Sequence, residues 1–205
     1  MSLVFHYSPY STAAVTHLVL EELGVPYQKV RVDLAAGGTR TPEFLRLNPN
    51  GRVPVLVHDG QPLFESAALT LYLGETFGVK RGLYPAPGPT RGRAMQWVVW
   101  SNVTLTEAVQ RSLIASSPRS PAERHNAAVD AWAREDLTAR LDVLDGALAS
   151  SPFVLGDDYS IVDAHLASTV GWARMLELVP VAQPHVEAWL ARCRQRPAYA
   201  RVMAD

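Results

Sequence analysis

Cysteine is almost missing from this 205-residue chain: Cys193 stands alone. That excludes an internal disulfide framework and fits a reducing compartment. An excess of one charge is missing too, since 19 Lys and Arg face 20 Asp and Glu for a net charge of −1. No basic field therefore argues for nucleic acid or an anionic membrane surface. No stretch approaches about 18 uninterrupted apolar residues, so nothing is expected to span a bilayer. The opening MSLVFHYSPY has neither the basic flank nor the apolar run of a secretory leader. The six histidines show no paired ligand spacing and no Gly-rich loop follows a strand, so neither a metal nor a nucleotide is expected. These exclusions point to a soluble, cytoplasmic protein. The apolar share of 48% and charged share of 19% suit an ordinary globular chain with a sizeable core.

What is present changes character partway along. Residues 1–78 alternate short strand-like and helix-like runs. LVFHY reads as a strand, AAVTHLVLEELG as a helix ending on glycine, and YQKVRVDL as a second strand. TPEFLRLN has proline at a first helical position. VPVLVHDGQPLF reads as two strands about an Asp-Gly turn, and ESAALTLYLGETFG as a third helix. The order β-α-β-α-β-β-α implies a small mixed sheet with helical cover. Residues 79–91, rich in proline and glycine, read as a linker. Residues 92–205 carry helical spacing only, so an all-helical second domain is expected.

Four places hold the chemistry. In NPNGRVPVL, Pro54 interrupts a strand and forfeits a ladder hydrogen bond. It is either a cis-proline whose preceding backbone faces a peptide-like ligand, or an ordinary trans edge proline. Roughly 5–6% of X–Pro bonds are cis, so the residues alone favour the second. In LFESAALTLYL, Glu65 and Ser66 stand where a strand gives way to a helix. The unpaired N–H groups there suit a carboxylate, Ser66 can donate to it, and Glu65 can accept from an α-ammonium; plain capping is the alternative. In YSPYST, hydroxyls crowd another helix start. A thiol at that turn needs about 2.7 kcal/mol to drop two pKa units from about 8.5. One hydrogen bond to the thiolate gives about 1.5–3 kcal/mol, and the helix dipole about 0.3–1. One serine hydroxyl plus the dipole is sufficient in magnitude, with capping by Ser11 or Thr12 as the alternative. In DDYSIVDAH, Ser160 and Asp163 have capping-box spacing, worth about 0.5–2 kcal/mol.

In this order the pieces resemble the glutathione transferase family. NPNGRVPVL is similar to its cis-proline loop, FESAA to its γ-glutamyl-binding turn, and FVLGDDYSIVDAHLAS to its capping-box helix. RQRPAYARV resembles the end of its helical domain. The resemblance covers nearly the whole chain. It implies an α/β thioredoxin-like N-terminal domain plus an all-α C-terminal domain. It also implies glutathione held by Arg52, the Val53 backbone, cis-Pro54, Glu65 and Ser66, and a homodimer with the ligand near the subunit interface. The second substrate is expected to be a small hydrophobic electrophile, its pocket walled by Tyr10, Trp100 and Thr104; Trp97 and Trp172 are assigned to the core.

The catalytic end departs from the pattern. The first-helix region resembles bacterial beta-like members, which carry a cysteine aligned with Thr12 and a histidine aligned with Thr106. Without a thiolate of its own, the turn cannot exchange disulfides. Ser11 is the first candidate for the hydroxyl facing the glutathione sulfur, followed by Thr12, Ser8 and Tyr7. A glutathione-dependent isomerase or dehalogenase, and a binding protein without chemistry, are the alternatives.

Overall fold

The computed structural model describes residues 2–179 and 183–204. Strand β1 (Leu3–Tyr7) alternates, burying Leu3, Phe5 and Tyr7. It runs parallel to β2 (Gln28–Arg31) and antiparallel to β3 (Val55–His58), which pairs antiparallel with β4 (Gln61–Phe64). The sheet order is β2-β1-β3-β4. Asp59 and Gly60, at φ 46° and 83°, form the two-residue turn that sets the His58–Gln61 register.

Helix α1 (Ala13–Leu23) connects β1 to β2, and α2 (Pro42–Leu47) starts under Thr41, whose hydroxyl accepts the Phe44 N–H. Helix α3 (Ser66–Leu73) gives way to a π-helical turn, Gly74–Gly78. A Cβ on Gly74 or Gly78 would come within 2.8 Å of Tyr84, so only glycine lets the backbone pass this ring.

The remainder is helical. Helix α4 (Pro89–Trp100) begins inside the 79–91 segment expected as linker, because Pro89 suits the first helical turn. A π-helical turn, Ser101–Leu105, joins it to α5 (Thr106–Ser116). Then come α6 (Ala127–Leu148), α7 (Ile161–Met175), α8 (Pro184–Arg194) and α9 (Pro197–Met203). In α6, Leu137, Leu141, Leu144 and Leu148 fall on one buried stripe. Helix α7 is central and packs on α1, α4 and α8. Among the described residues no helix is long and apolar enough to cross a membrane.

Two polar constructions tie the molecule together. The capping box at α7 is present, and its buried Asp163 does more than cap. It accepts from Ser160 N and Oγ at 2.9 Å each, from Val154 N at 3.0 Å and from Trp189 Nε1 at 2.9 Å. The second is a clasp from α1 to the C-terminal helices. Arg196 donates Nε and Nη2 to the two oxygens of Glu22, at 2.7 Å each, and its guanidinium lies 3.7 Å from the Tyr159 ring centre. Tyr159 OH also donates to Glu22, at 3.0 Å. Glu21 pairs with Arg201 one residue away.

Candidate active site

A cleft of about 680 Å³ opens between the sheet domain and helices α5, α7 and α9. Its floor is the turn that carries β1 into α1. Tyr10, at φ 54°, reverses the chain and is 91% exposed. Ser11 Oγ donates to Ser8 O at 2.6 Å and accepts Ala13 N–H at 3.2 Å, so both its roles are spent on holding the turn. Thr12 does not cap α1 with its side chain; its hydroxyl donates to Val53 O at 3.3 Å. Tyr7 is buried, its ring stacked on Phe5. Ser8 also lines the cleft, and its hydroxyl has no hydrogen-bond partner among the described residues.

The loop before β3 forms the second wall. Buried Asn48 donates Nδ2 to Arg52 O at 2.7 Å and accepts from Asn50 N at 3.0 Å. Gly51 closes the loop at φ 60°; a Cβ there would sit 2.6 Å from Arg40 Nη1 and 3.0 Å from Thr39 O. The Val53–Pro54 peptide bond is cis. Arg52, Val53 and Pro54 all line the cleft.

The third wall is the start of α3. Glu65 adopts φ 71°, ψ 113°, a sparsely populated region that costs a non-glycine residue about 1–3 kcal/mol and is typical of ligand sites. Ser66 follows as the first helical residue. Its Oγ accepts from Asn102 Nδ2 at 2.9 Å. Asn102 Oδ1 lies 2.8 Å from His165 Nε2, and His165 Nδ1 lies 2.8 Å from Thr70 Oγ1. The chain of donors fixes every proton. Asn102 gives its NH₂ to Ser66, so Oδ1 must accept from a protonated Nε2 of His165. The bare Nδ1 then accepts from the Thr70 hydroxyl. Ser66 keeps its own proton for whatever enters the cleft.

Burial pushes the His165 pKa down to about 3, so the ring is neutral, as this relay requires. The sign for stability follows. Between the unfolded value of about 6.5 and about 3, the unfolded chain binds a proton that the folded chain refuses. Stability falls as pH drops through that window. From pH 7.5 to 5.0 this group alone removes about 2 kcal/mol, at roughly 1.36 kcal/mol per unit. Urea unfolding at the two pH values should show that loss in the native sequence and not in His165→Gln; equal losses would refute the assignment.

The fourth wall is helical. Thr106, Gln110 and Ile114 on α5, with Asn102 before them, recur every four residues and line the cleft as one stripe. Trp100 and Thr104, expected as pocket wall, fall outside the lining: Trp100 packs edge-on against Trp97 with centroids 5.2 Å apart, and Thr104 is half-buried on the turn. Trp172, assigned to the core, lines the cleft beside Met175. Tyr10, Ile114, Met175 and Met203 are large, exposed and apolar, and all four face this one space.

Ser8, Ser11, Thr12, Arg52, Val53, Pro54, Glu65, Ser66 and Tyr10 are thus brought together. Asn102, Gln110, Ile114, Trp172 and Met175, with Arg194, Tyr199, Val202 and Met203 at the C-terminal helices, also line the cleft and were not foreseen. The four-residue spacing of 102, 106, 110 and 114 is the one sequence signal that points to part of them. Cys193 lies elsewhere, and burial pushes its thiol pKa up. Among the described residues no group of three His, Cys, Asp or Glu is placed to hold a metal ion. One end of the cleft offers main-chain groups, a carboxylate and hydroxyls to a peptide-like zwitterion. The helical side offers Ile114, Trp172, Met175, Val202 and Met203 as apolar surface, interspersed with Thr106, Gln110, Arg194 and Tyr199.

The family described as "Glutathione S-transferase, N-terminal domain" matches residues 3–75, and "Glutathione S-transferase, C-terminal domain" matches residues 108–197. The chain is 32% identical over 188 residues to glutathione S-transferase GstB of Escherichia coli strain K12, covering 91% of this chain and 89% of that protein. It is 33% identical to the disulfide-bond oxidoreductase YfcG of the same strain, covering 97% and 93%. Among solved structures it superposes with a TM-score of 0.85 on the theta class glutathione S-transferase of Xanthomonas axonopodis pv. citri with glutathione bound. That match is 30% identical and covers 100% of this chain and 98% of the other.

Proposed function

The chain belongs to the glutathione S-transferase family, and from that premise we propose that it is a glutathione transferase acting on a small apolar electrophile. Residues 1–78 hold glutathione and residues 92–205 supply the second-substrate wall, with 79–91 joining them. The γ-glutamyl end lies at Glu65 and Ser66, where the carboxylate takes the Ser66 proton and the first-turn N–H groups of α3. The cysteinyl backbone lies along Val53, displacing the Thr12 hydroxyl from the Val53 carbonyl, and Arg52 supplies a cation for a carboxylate of the tripeptide. The sulfur then faces the Ser8–Thr12 turn. Ser8, whose hydroxyl is uncommitted, donates to the thiolate; Ser11 comes second, since its proton already serves Ser8 O. The thiol proton leaves to solvent, the thiolate forms a C–S bond at the electrophilic carbon, and the leaving group departs with its electron pair.

The observation that carries this reading is the opening of Ser8, Val53, Glu65 and Ser66 onto one space whose far side is apolar. Retention on glutathione resin, with turnover of 1-chloro-2,4-dinitrobenzene, tests it. Retention with turnover only of a maleyl-type isomerisation substrate, a haloalkane or hydroxyethyl disulfide would assign a different glutathione reaction. No retention would leave a binding protein of this fold without the chemistry. The reading also carries a homodimer with the ligand near its interface and a cytoplasmic setting, the first checked by light scattering.

Asn102 orients Ser66 and does not touch the sulfur. Asn102→Ala is expected to raise the KM for glutathione about five- to tenfold, the equivalent of one net hydrogen bond, while kcat changes less than twofold. Steady-state kinetics with varied glutathione reads the split, and a fall in kcat alone would refute the role.

A further inference from the structure

Among the described residues, the Arg, Lys, Asp and Glu side chains that line the cleft are Arg52 and Glu65, on the walls proposed for glutathione, and Arg194, on the helical side. Arg194 is the last residue of α8, and it has no hydrogen-bond or ion-pair partner among the described residues. Its neighbours in sequence and space are all committed. Arg174 pairs with Glu187 at 2.6 Å, Arg192 donates to Pro152 O at 2.9 Å, Arg196 is held by Glu22, and Arg201 by Glu21. Beside Arg194 stands the Tyr199 hydroxyl, which also has no acceptor among the described residues. Both approach α7 at Gly171: Arg194 Nη2 lies 3.6 Å and Tyr199 Oη 4.0 Å from the position a Cβ would take there. Gly171 lines the cleft together with both of them. The same lining carries Trp172, Met175, Val202 and Met203 as apolar surface, with Ser168 and Thr169 on α7, and Arg194 itself is exposed to solvent.

A guanidinium at the edge of an apolar pocket, with a hydroxyl beside it, fits a carboxylate or similar acid group, which it can bind through two parallel hydrogen bonds. The glutathione carboxylates are taken up by Arg52 and the α3 turn in the proposed reading, on which this inference rests. We propose that Arg194 and Tyr199 form an anion subsite in the second-substrate pocket, so that the preferred acceptor is an apolar electrophile carrying an acid group. The subsite binds and orients; the bond-forming step stays with the glutathione thiolate.

Two probes that differ in one charge test this: 4-chloro-3,5-dinitrobenzoate and its methyl ester. In both, the thiolate adds at the chlorine-bearing carbon, the C–S bond forms and chloride leaves with its electron pair. The ratio of kcat/KM for the acid over the ester is expected to fall about tenfold in Arg194→Gln and two- to threefold in Tyr199→Phe, with Arg194→Lys between. Comparing ratios within one pair of probes removes their intrinsic reactivity. In the native sequence, 0.5 M salt should lower the rate with the acid more than with the ester. An Arg194→Gln ratio equal to that of the native protein overturns the subsite. If neither probe turns over while glutathione still binds, the transferase reading fails. Calorimetric binding of 3,5-dinitrobenzoate then decides the subsite by itself: about tenfold weaker in Arg194→Gln supports it, and equal affinity overturns it.

Discussion

Ser8→Ala is expected to lower kcat with 1-chloro-2,4-dinitrobenzene at least tenfold while the KM for glutathione rises less than threefold. The thiol of glutathione starts near a pKa of about 8.5, so most of it is protonated at neutral pH. A hydrogen bond to the charged form is worth about 1.5–3 kcal/mol, or about one to two pKa units at roughly 1.36 kcal/mol each. Removing it returns the thiolate fraction toward its value in water. The acid limb of the kcat profile should therefore move up by about one to two pH units. Ser11→Ala makes the contrast. Its hydroxyl bridges Ser8 O and Ala13 N, so its removal loosens the turn and is expected to cost about 1 kcal/mol of stability and only two- to threefold in kcat. Should Ser11→Ala do the greater catalytic damage and leave the pH profile of Ser8→Ala unmoved, the two serines exchange roles.

Asp163→Ala is expected to be the most destabilising single change, at about 4 kcal/mol or more. The cap alone accounts for about 0.5–2 kcal/mol. The carboxylate also serves Val154 N and Trp189 Nε1, which join the loop before α7 and helix α8 to the start of α7. Alanine would leave these donors buried and unpaired, at about 1–3 kcal/mol each. Asp163→Asn keeps the shape and part of the acceptor capacity and should lose about half as much, and Ser160→Ala about 1 kcal/mol. Urea unfolding at pH 7.5 gives the ranking. A loss below about 1 kcal/mol in both Asp163 variants would show that Asp163 is only a cap.

The local elements were legible because each has a local cause. The alternation of β1, the Asp-Gly hairpin, proline at the head of α2 and the Ser160–Asp163 spacing all act within a few residues. The cleft segments Ser8–Thr12, Arg52–Pro54 and Glu65–Ser66 were legible for the same reason, being loops and helix starts with marked chemistry. What could not be read depends on distance or phase. The π-helical turn at Ser101–Leu105 leaves no composition signal, and within and beside it Asn102 and Thr106 line the cleft while Trp100 and Thr104 do not. The Ser66–Asn102–His165–Thr70 relay joins residues 36, 63 and 95 positions apart, which no periodicity records. The contest among Ser8, Ser11 and Thr12 turns on which carbonyl each hydroxyl reaches, and only the folded turn answers that.

Helix α1 has its beginning in the cleft and its end in the Glu22–Arg196–Tyr159 clasp. One rod thus serves both halves of the molecule. Glu22 is almost wholly buried, and a buried ion pair left with one partner is strongly unfavourable. Parting the sheet half from the helical half like the jaws of a hinge would break this clasp and leave Glu22 without its guanidinium. For the second substrate proposed above, entry would then need only the exposed side chains at the mouth, Tyr10, Met175 and Met203, to change rotamer, a picosecond-to-nanosecond motion.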